Sequence, residues 1–395
     1  MTTRRTILKS GAVTAFVAAG GTALAPVPAA ASGPGPDRDA LQEAVARLGA
    51  NGASGILAEV RDRDWIWRGS AGVAELGGTR PVQPQGRFRV GSVTKSFVAT
   101  VALQLVAERR LRLDDPVERY LPGVVPGGGR ITVRHLLQHT SGLFDYTDAL
   151  LAEATVEDLV RMRYRSWAPR ELLAYSWGEA PLFEPGAGWS YSNTNYILVG
   201  LLIERVTGRP YGSEVTRRII RPLGLHQTEV PGHDPDIAGP HAHGYLPLER
   251  DGGVVPVDIT RYEPSIAWAA GEMLSSAADL NRFYGALVRG RLLPAPLLAQ
   301  MQATTGPESY GLGLLSLTLP SGATLWGHTG GIFGYETFAM GTADGRRQLT
   351  FSVNPWGPSE PDDSLLQLLT LAFDGTAAGV ARGTAVQRLP KLGHF

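Results

Sequence analysis

The sequence predicts an α/β fold of the α+β type, in which an antiparallel sheet is flanked by helices. Residue patterns typical of strands occur over 55–72 and again over 310–355. The stretch between them, about 112–290, is predicted to be a mainly helical lobe with Gly- and Pro-rich loops. Both ends of the chain are therefore expected to build one sheet, and catalytic groups are expected in the cleft between sheet and lobe.

The individual elements follow from periodicity and turn residues. Apolar residues at helical spacing predict helices at 37–49, from Ser92 through "KSFVATVALQLVAERR", in "ITVRHLLQHTSGL", in "NYILVGLLIERVTG" with Gly208 as C-cap, and around 362–374. Strands are predicted in "GILAEVRDRDWIWRGSAG" with a polar turn at 61–64, then in "YGLGLLSLTLP", "ATLWGHTGG" and "YETFAMGTADGRRQLTFSVNP", where "ADG" forms a hairpin turn.

The first 31 residues predict a cleaved export signal of the twin-arginine type. Arg4, Arg5 and Lys9 precede a Gly- and Ala-rich apolar run, and small residues follow as far as Ala31. The apolar run is about 15 residues, shorter than the roughly 20 that span a bilayer. We expect a secreted protein without stable membrane insertion, whose residues 32–395 form a single catalytic domain. An ordinary Sec signal is the alternative, and it also implies export.

Composition limits the chemistry and the partners. The chain has 37 basic and 37 acidic residues, and the signal carries three of the cations, so nothing favours nucleic acid as a partner. It has no cysteine, which excludes a disulfide framework, thiol catalysis and zinc sites built on cysteine. We predict an enzyme without cofactor or metal that acts on a small-molecule or peptide substrate.

Ser92 and Lys95 are the first candidate pair. Only three of the basic residues are lysines, Lys9, Lys95 and Lys391, and Lys95 shares a helix face with Ser92. A serine hydroxyl needs a neighbour that takes its proton. A buried lysine can do this, whereas arginine stays protonated. An isolated S-x-x-K is usually a helix cap and a solvated lysine; the scarcity of lysine and two further motifs favour catalysis.

The two further motifs lie in a loop and in a strand. In "PGAGWSYSNTNY", Tyr191 is a candidate proton carrier and Asn193 a partner for Lys95 or for a substrate amide. The alternative is a loop aromatic with Asn193 or Asn195 as a helix cap. In "LWGHTGG", a strand edge could bind substrate and complete an oxyanion hole, with Gly residues that admit a second backbone. The alternative is a hairpin corner with a stray histidine.

Together the motifs S-x-x-K, Y-x-N and H-T-G resemble the serine β-lactamase and penicillin-binding-protein superfamily. The combination looks like the class C side, and most like the exocellular actinobacterial D-alanyl-D-alanine carboxypeptidases. "TVRHLLQHTSGLFDYT", "AWAAGEMLSSAADLNRFYGAL" and "YGLGL" extend the resemblance over about residues 40–355. It implies the β-lactamase/DD-peptidase fold and a serine hydrolase that forms an acyl-enzyme.

The resemblance also implies roles for individual residues. Ser92 would be the acylated nucleophile, and Lys95 with Tyr191 would transfer protons, although which of the two is the acylation base stays open. Asn193 would orient Lys95 and the substrate amide, and His328 would assist the leaving group. The remaining implied roles are substrate contact by Thr329 and Gly330, an oxyanion hole from the N–H groups of Ser92 and Gly331, and a cleft wall of Phe144, Tyr146 and Trp268.

The substrate expected first is a peptidoglycan stem peptide. In the carboxypeptidases, an arginine after Y-G-x-G-L and a hydroxyl after H-T-G hold the substrate carboxylate; here Leu315 and Gly331 occupy those positions. Leu315 is expected to face the carboxylate, which predicts weak carboxypeptidase activity unless Thr329 or Arg346 compensates. The alternatives are an esterase, a D-amino-acid amidase, a β-lactamase, or a non-catalytic cell-wall-binding module.

Two other patterns are weaker. His241 and His243, with His233 and Asp236 nearby, have the composition of a zinc site but are better explained as surface-loop residues. The G-x-S-x-G motif of α/β-hydrolases does not occur in the chain.

Overall fold

The computed structural model describes residues 36–359 and 363–375. The predicted export signal over 1–31 lies outside the described residues. None of the helices in the two described ranges is both long enough and apolar enough to cross a membrane.

Runs of strands and runs of helices follow one another, which is the pattern of an α+β protein. The strands are β1 (Ala53–Asp62), β2 (Trp65–Gly72), β3 (Arg87–Arg89), β4 (Tyr245–Arg250), β5 (Gly253–Asp258), β6 (Leu274–Ser276), β7 (Leu315–Thr318), β8 (Thr324–Ile332), β9 (Tyr335–Thr342) and β10 (Arg347–Pro355). The helices are α1 (Arg38–Ala50), α2 (Thr94–Ala107), α3 (Val133–Leu137), α4 (Tyr146–Leu151), α5 (Val156–Met162), α6 (Pro169–Trp177), α7 (Asn193–Thr207), α8 (Tyr211–Val215), α9 (Arg221–Leu223), α10 (Ala277–Val288), α11 (Ala295–Met301) and α12 (Ser364–Asp374).

The central sheet comes from both ends of the chain, which confirms the prediction. Its six strands lie in the order β2-β1-β10-β9-β8-β7, and every neighbouring pair is antiparallel. Arg63 (φ 54°) and Gly345 (φ 64°) take left-handed conformations in the two predicted hairpin turns. The strand predicted over 310–320 is reduced to β7, since the chain bends at Gly313, where φ is 77°.

Apolar side chains cover both faces of this sheet. On one face, Phe338 and Phe351 stack across β9 and β10 with ring centroids 5.3 Å apart, within an apolar cluster that includes α1 and α12. On the other face, α10 packs on β9 and β10, and its Phe283 stacks on Phe97 of α2 at 3.7 Å. Burial of a phenylalanine contributes about 1.5–3 kcal/mol, so the contact between Phe283 and Phe97 helps to hold α2 against α10.

The predicted helices around the candidate site are confirmed. The helix expected from Ser92 begins as a 3₁₀ turn, Gly91–Val93, and continues as α2, which is buried on almost every side. Burial all round is typical of a central helix. The helix α7 ends at Gly208, whose φ of 70° is the left-handed C-cap that the sequence predicted.

The region expected to be mainly helical also contains strands that were not predicted. Helices α3 to α10 lie there, but β4 and β5 form a hairpin, and β6 pairs with β3, which precedes this region. Half of the hairpin residues are exposed and the strands carry the opposed prolines Pro247 and Pro256, so they lack strand-like alternation. The left-handed turn at Asp251 and Gly252 was their one sequence signal.

Candidate active site

Ser92 and Lys95 meet at the start of α2, as their spacing predicted. Lys95 Nζ lies 2.9 Å from Ser92 Oγ, and both side chains are buried. Gly91 makes the sharp entry possible, because its φ is 52° and a Cβ there would lie 2.6 Å from the Gly331 carbonyl oxygen. The nucleophile turn therefore lies directly against strand β8.

Lys95 has two further partners, which hold its amine in place. Nζ donates to Asn193 Oδ1 at 2.7 Å and to the Ala270 carbonyl at 2.8 Å. Burial lowers the pKa of Lys95 to about 7, although the negative charge of Asp145 acts in the opposite direction. An amine with this pKa exchanges its proton readily at neutral pH, which is the property that a general base for Ser92 requires.

Asp145, which sequence analysis missed, orients Asn193. Asn193 Nδ2 donates to Asp145 Oδ2 at 3.0 Å, so the amide oxygen is turned toward Lys95. Asp145 also accepts from the Thr147 N–H as the N-cap of α4. Its position before a short helix was a cap signal, but nothing in the sequence linked it to Asn193.

Tyr191 covers the serine–lysine pair. Its ring centroid lies 4.8 Å from Lys95 Nζ, and its hydroxyl is buried beside Ser92. Burial raises the pKa of Tyr191 well above the ordinary value, and the neighbouring Ser92 side chain offsets only part of that effect. In the resting protein Tyr191 is therefore a neutral phenol, able to donate a proton and to pass one on.

Strand β8 presents the H-T-G segment beside the nucleophile. Its pairing with β7 ends at Gly327, so among the described strands none adjoins residues 328–332 on that side. A Cβ at Gly330 would lie 2.0 Å from the Val90 carbonyl oxygen, so only glycine allows this close approach. The arrangement provides an edge along which an extended substrate can bind next to Ser92.

His328 is buried and engaged on both ring nitrogens. Nδ1 lies 2.5 Å from the Thr329 carbonyl, which can only accept, so Nδ1 carries a proton. Nε2 lies 2.9 Å from the Tyr310 hydroxyl. Burial raises the pKa of Tyr310 well above its ordinary value, so Tyr310 is a neutral phenol. Assistance to the leaving group by His328 stays a prediction.

The residues expected in the cleft wall differ in exposure. Phe144 and Trp268 are half-buried, and Trp268 has a φ of 37°, an uncommon conformation for a bulky side chain, two residues before the Ala270 carbonyl that binds Lys95. Tyr146 is instead wholly buried and donates to the Ile266 carbonyl at 2.6 Å. The place of these three residues in the cleft wall stays a prediction.

Leu315, the position expected to face the substrate carboxylate, is buried in the apolar cluster that contains Tyr310 and against which Tyr191 packs. It pairs with Gly327, and because side chains alternate along a strand, Leu315 and Thr329 lie on the same face of the sheet. The expected place of Leu315 beside the carboxylate stays a prediction. Arg346 is paired with Asp344 in the hairpin after β9. Since Thr342 lies opposite Leu325, Arg346 is about 13 Å or more from Thr329 along the strands.

The histidines considered for zinc have other partners. His243 Nδ1 lies 2.7 Å from Asp258, and His233 Nδ1 lies 2.5 Å from Glu263. Within the residues that the structure describes, no three or more histidine, aspartate or glutamate side chains come together as metal ligands would.

The fold, with a buried serine–lysine pair at the edge of an antiparallel sheet, is that of a serine hydrolase of the β-lactamase and penicillin-binding-protein type. A family model described as Beta-lactamase matches residues 38–372. The chain belongs to this family.

Several relatives share most of the chain. The crystal structure of a D-stereospecific amidohydrolase from Streptomyces sp. is 43% identical, covers 86% of this chain and 100% of its own, and superposes with a TM-score of 0.79. Esterase EstB of Burkholderia gladioli is 32% identical over 73% of this chain and 82% of its own length. Penicillin-binding protein 4* of Bacillus subtilis is 28% identical over 80% of this chain and 71% of its own length.

Proposed function

We propose that the protein hydrolyses amides and esters of D-amino acids through an acyl-enzyme on Ser92. The observation that carries this proposal is the position of Lys95 Nζ, 2.9 Å from Ser92 Oγ and 2.7 Å from Asn193 Oδ1 in a buried site. A buried lysine beside a serine activates the hydroxyl for nucleophilic attack, and a module that only binds its ligand does not need this activation. The amidohydrolase activity in the name of the Streptomyces relative supports the substrate class.

In this proposal Lys95 is the base of acylation. Its pKa of about 7 leaves a large neutral fraction at physiological pH, whereas the raised pKa of Tyr191 keeps the phenol protonated. Ser92 Oγ attacks the substrate carbonyl while Lys95 takes its proton, and the N–H groups of Ser92 and Gly331 stabilise the oxyanion. Tyr191 donates its proton to the leaving group and is reprotonated from Lys95, and water then hydrolyses the ester.

The leaving side of the substrate is expected to be uncharged. Leu315 lies in the core and Arg346 at a distant hairpin, so neither replaces the arginine that holds a terminal carboxylate in the carboxypeptidases. The lost charge-assisted contact is worth about 1.5–3 kcal/mol, or roughly 10- to 150-fold in kcat/KM. The resemblance to actinobacterial carboxypeptidases therefore extends to the acylation chemistry more than to the substrate.

We predict that the protein prefers an amidated to a free carboxyl terminus. The test compares kcat/KM for an acyl-D-Ala-D-Ala peptide with that for the same peptide amidated at its terminus, and for D- against L-phenylalanine amide. We expect faster hydrolysis of the amidated peptide and of the D enantiomer. Ser92→Ala is the control for background hydrolysis. A strong preference for the free acid would show that another group binds the carboxylate.

An esterase is the second candidate function. The similarity to Esterase EstB over most of both chains favours it. Amides have poorer leaving groups than activated esters, so their cleavage depends more on proton donation by Tyr191. An esterase would hydrolyse p-nitrophenyl acetate and leave D-amino-acid amides intact, whereas the proposed function requires cleavage of both. A penicillin tested beside these substrates shows whether the protein forms a long-lived acyl-enzyme with it or hydrolyses it as a β-lactamase would.

We also propose that the protein is exported and acts on cell-wall peptides or compounds outside the cytoplasm. Arg4 and Arg5 before a short apolar run support a twin-arginine signal. Replacement of both by lysine is expected to retain the protein in the cytoplasm. The measurement is the fraction of hydrolase found in the medium after expression in an actinobacterial host, and equal secretion of the variant would contradict the proposal.

A further inference from the structure

His139 lies behind the candidate proton carrier, on a segment to which the proposed mechanism assigns no role. It follows α3, is completely buried, and has a left-handed φ of 63°. Such a conformation is uncommon for a residue other than glycine and persists where surrounding contacts impose it. The contacts that impose it here go to the loop that carries Tyr191.

Three consecutive residues of that loop contact His139. Its carbonyl accepts from the Ser190 N–H at 3.1 Å, and its Nδ1 accepts from the Ser192 N–H at 3.1 Å. Between them, the ring of Tyr191 stacks on the imidazole, with centroids 4.3 Å apart and an interplanar angle of 28°. The backbone on both sides of Tyr191 is thus held by one residue, and the side chain of that residue sets the Ser192 N–H and the plane of the Tyr191 ring.

The hydrogen bonds also fix the protonation of His139. A backbone N–H only donates, so the Nδ1 that receives the Ser192 N–H carries no proton. The Asn195 amide nitrogen lies 3.2 Å from the same atom, because the Asn195 oxygen accepts from the Ser141 hydroxyl. Two donors therefore meet at Nδ1, which keeps the imidazole neutral with its proton on Nε2.

We propose that His139 is a positioning residue that holds Tyr191 in place over the pair Ser92 and Lys95. The inference rests on the proposed function of Tyr191 as proton carrier. It adds that the acceptor Nδ1 and the flat ring of His139 make separate contributions, one to the backbone of the loop and one to the phenol. A catalytic group displaced by about 1 Å loses about 100-fold in rate, which sets the scale of the effect.

Two substitutions separate these contributions. His139→Phe keeps an aromatic face for Tyr191 and removes the acceptor, and we expect kcat to fall about 100-fold with KM nearly unchanged. His139→Asn keeps an acceptor and tolerates the left-handed backbone but removes the ring, and we expect a smaller loss of about 10-fold. His135→Asn is the matched control, since His135 caps α3 and does not contact Tyr191; its kcat should stay within about twofold.

Hydrogen–deuterium exchange at the Ser192 amide gives a readout that does not depend on activity. It should accelerate in His139→Phe and much less in His139→Asn, while α7 stays protected in both. Wild-type kcat in both variants, or unchanged exchange at Ser192 in His139→Phe, would overturn the proposal. If the wild-type protein hydrolysed none of the substrates, the proposed function would fail, and exchange at Ser192 would still decide whether His139 holds this loop.

Discussion

Ser92→Ala is expected to abolish hydrolysis of every substrate, by about 10⁴-fold or more, and to abolish covalent labelling. The hydroxyl is the attacking group, and nothing else in the site replaces an acyl acceptor. The fold should survive, since Gly91 and the packing of α2 set the turn and Lys95 keeps Asn193 and the Ala270 carbonyl as partners. Intact mass spectrometry after incubation with a penicillin or an activated ester measures the adduct, and thermal unfolding checks the fold.

A serine on the same helix serves as the control for this substitution. Ser96 is also buried, but its hydroxyl donates to the Gly313 carbonyl at 2.7 Å and takes no part in the proposed chemistry. Ser96→Ala should keep the adduct on Ser92. An adduct that persists in Ser92→Ala and maps to another serine would refute the assignment of the nucleophile.

Lys95→Arg is expected to be nearly as damaging as Lys95→Ala, although it keeps a positive charge. A general base contributes about 10²–10⁴-fold in rate, and a guanidinium does not release its proton at neutral pH. The larger group must also fit a completely buried position with three acceptors at 2.7–2.9 Å. Comparison of kcat/KM for the wild type and both variants, with an activated ester as substrate, measures the effect.

The pH profile distinguishes loss of the base from misfolding. Burial lowers the pKa of Lys95 to about 7, so protonation below that pH removes the base and kcat/KM of the wild type should rise with pH through about 7. The residual activity of Lys95→Arg and Lys95→Ala should not show this rise of kcat/KM with pH. If Lys95→Arg kept most of the activity and the rise of kcat/KM with pH, Lys95 would supply only charge, and Tyr191 would be the sole base.

The fold could be predicted from the sequence where a residue pattern reports burial directly. The predominantly apolar strands β9 and β10, the apolar α2 and the left-handed Gly208 each carry their structure in local residues. The hairpin of β4 and β5 could not be predicted in this way, since its strands show no regular alternation of buried and exposed residues. It buries Tyr245 and packs Leu246 against the core, contacts with distant residues that the local sequence does not record.

The candidate site was predictable in part for a similar reason. Ser92 and Lys95 are one helical turn apart, so their contact follows from local geometry. The Ala270 carbonyl has no sequence signature, because every residue has one, and its use depends on the turn after Trp268. The burial of Leu315 in the apolar cluster depends on the register of β7 against β8, which a motif alignment does not give.

The sheet also has a consequence for the order of events during synthesis. Asp62 of β1 and Arg347 of β10 form an ion pair although they are 285 positions apart in the sequence. The strand β1 therefore gains β10 as its second neighbouring strand only after β10 has been synthesised. Until then β1 and β2 are an isolated hairpin, which is marginal in water. Ser92 leaves the ribosome early, but the edge of β8 is not supported until β10 has inserted beside β9. A nascent chain therefore carries its nucleophile without a complete site around it, and we expect hydrolytic activity only after β10 has been synthesised.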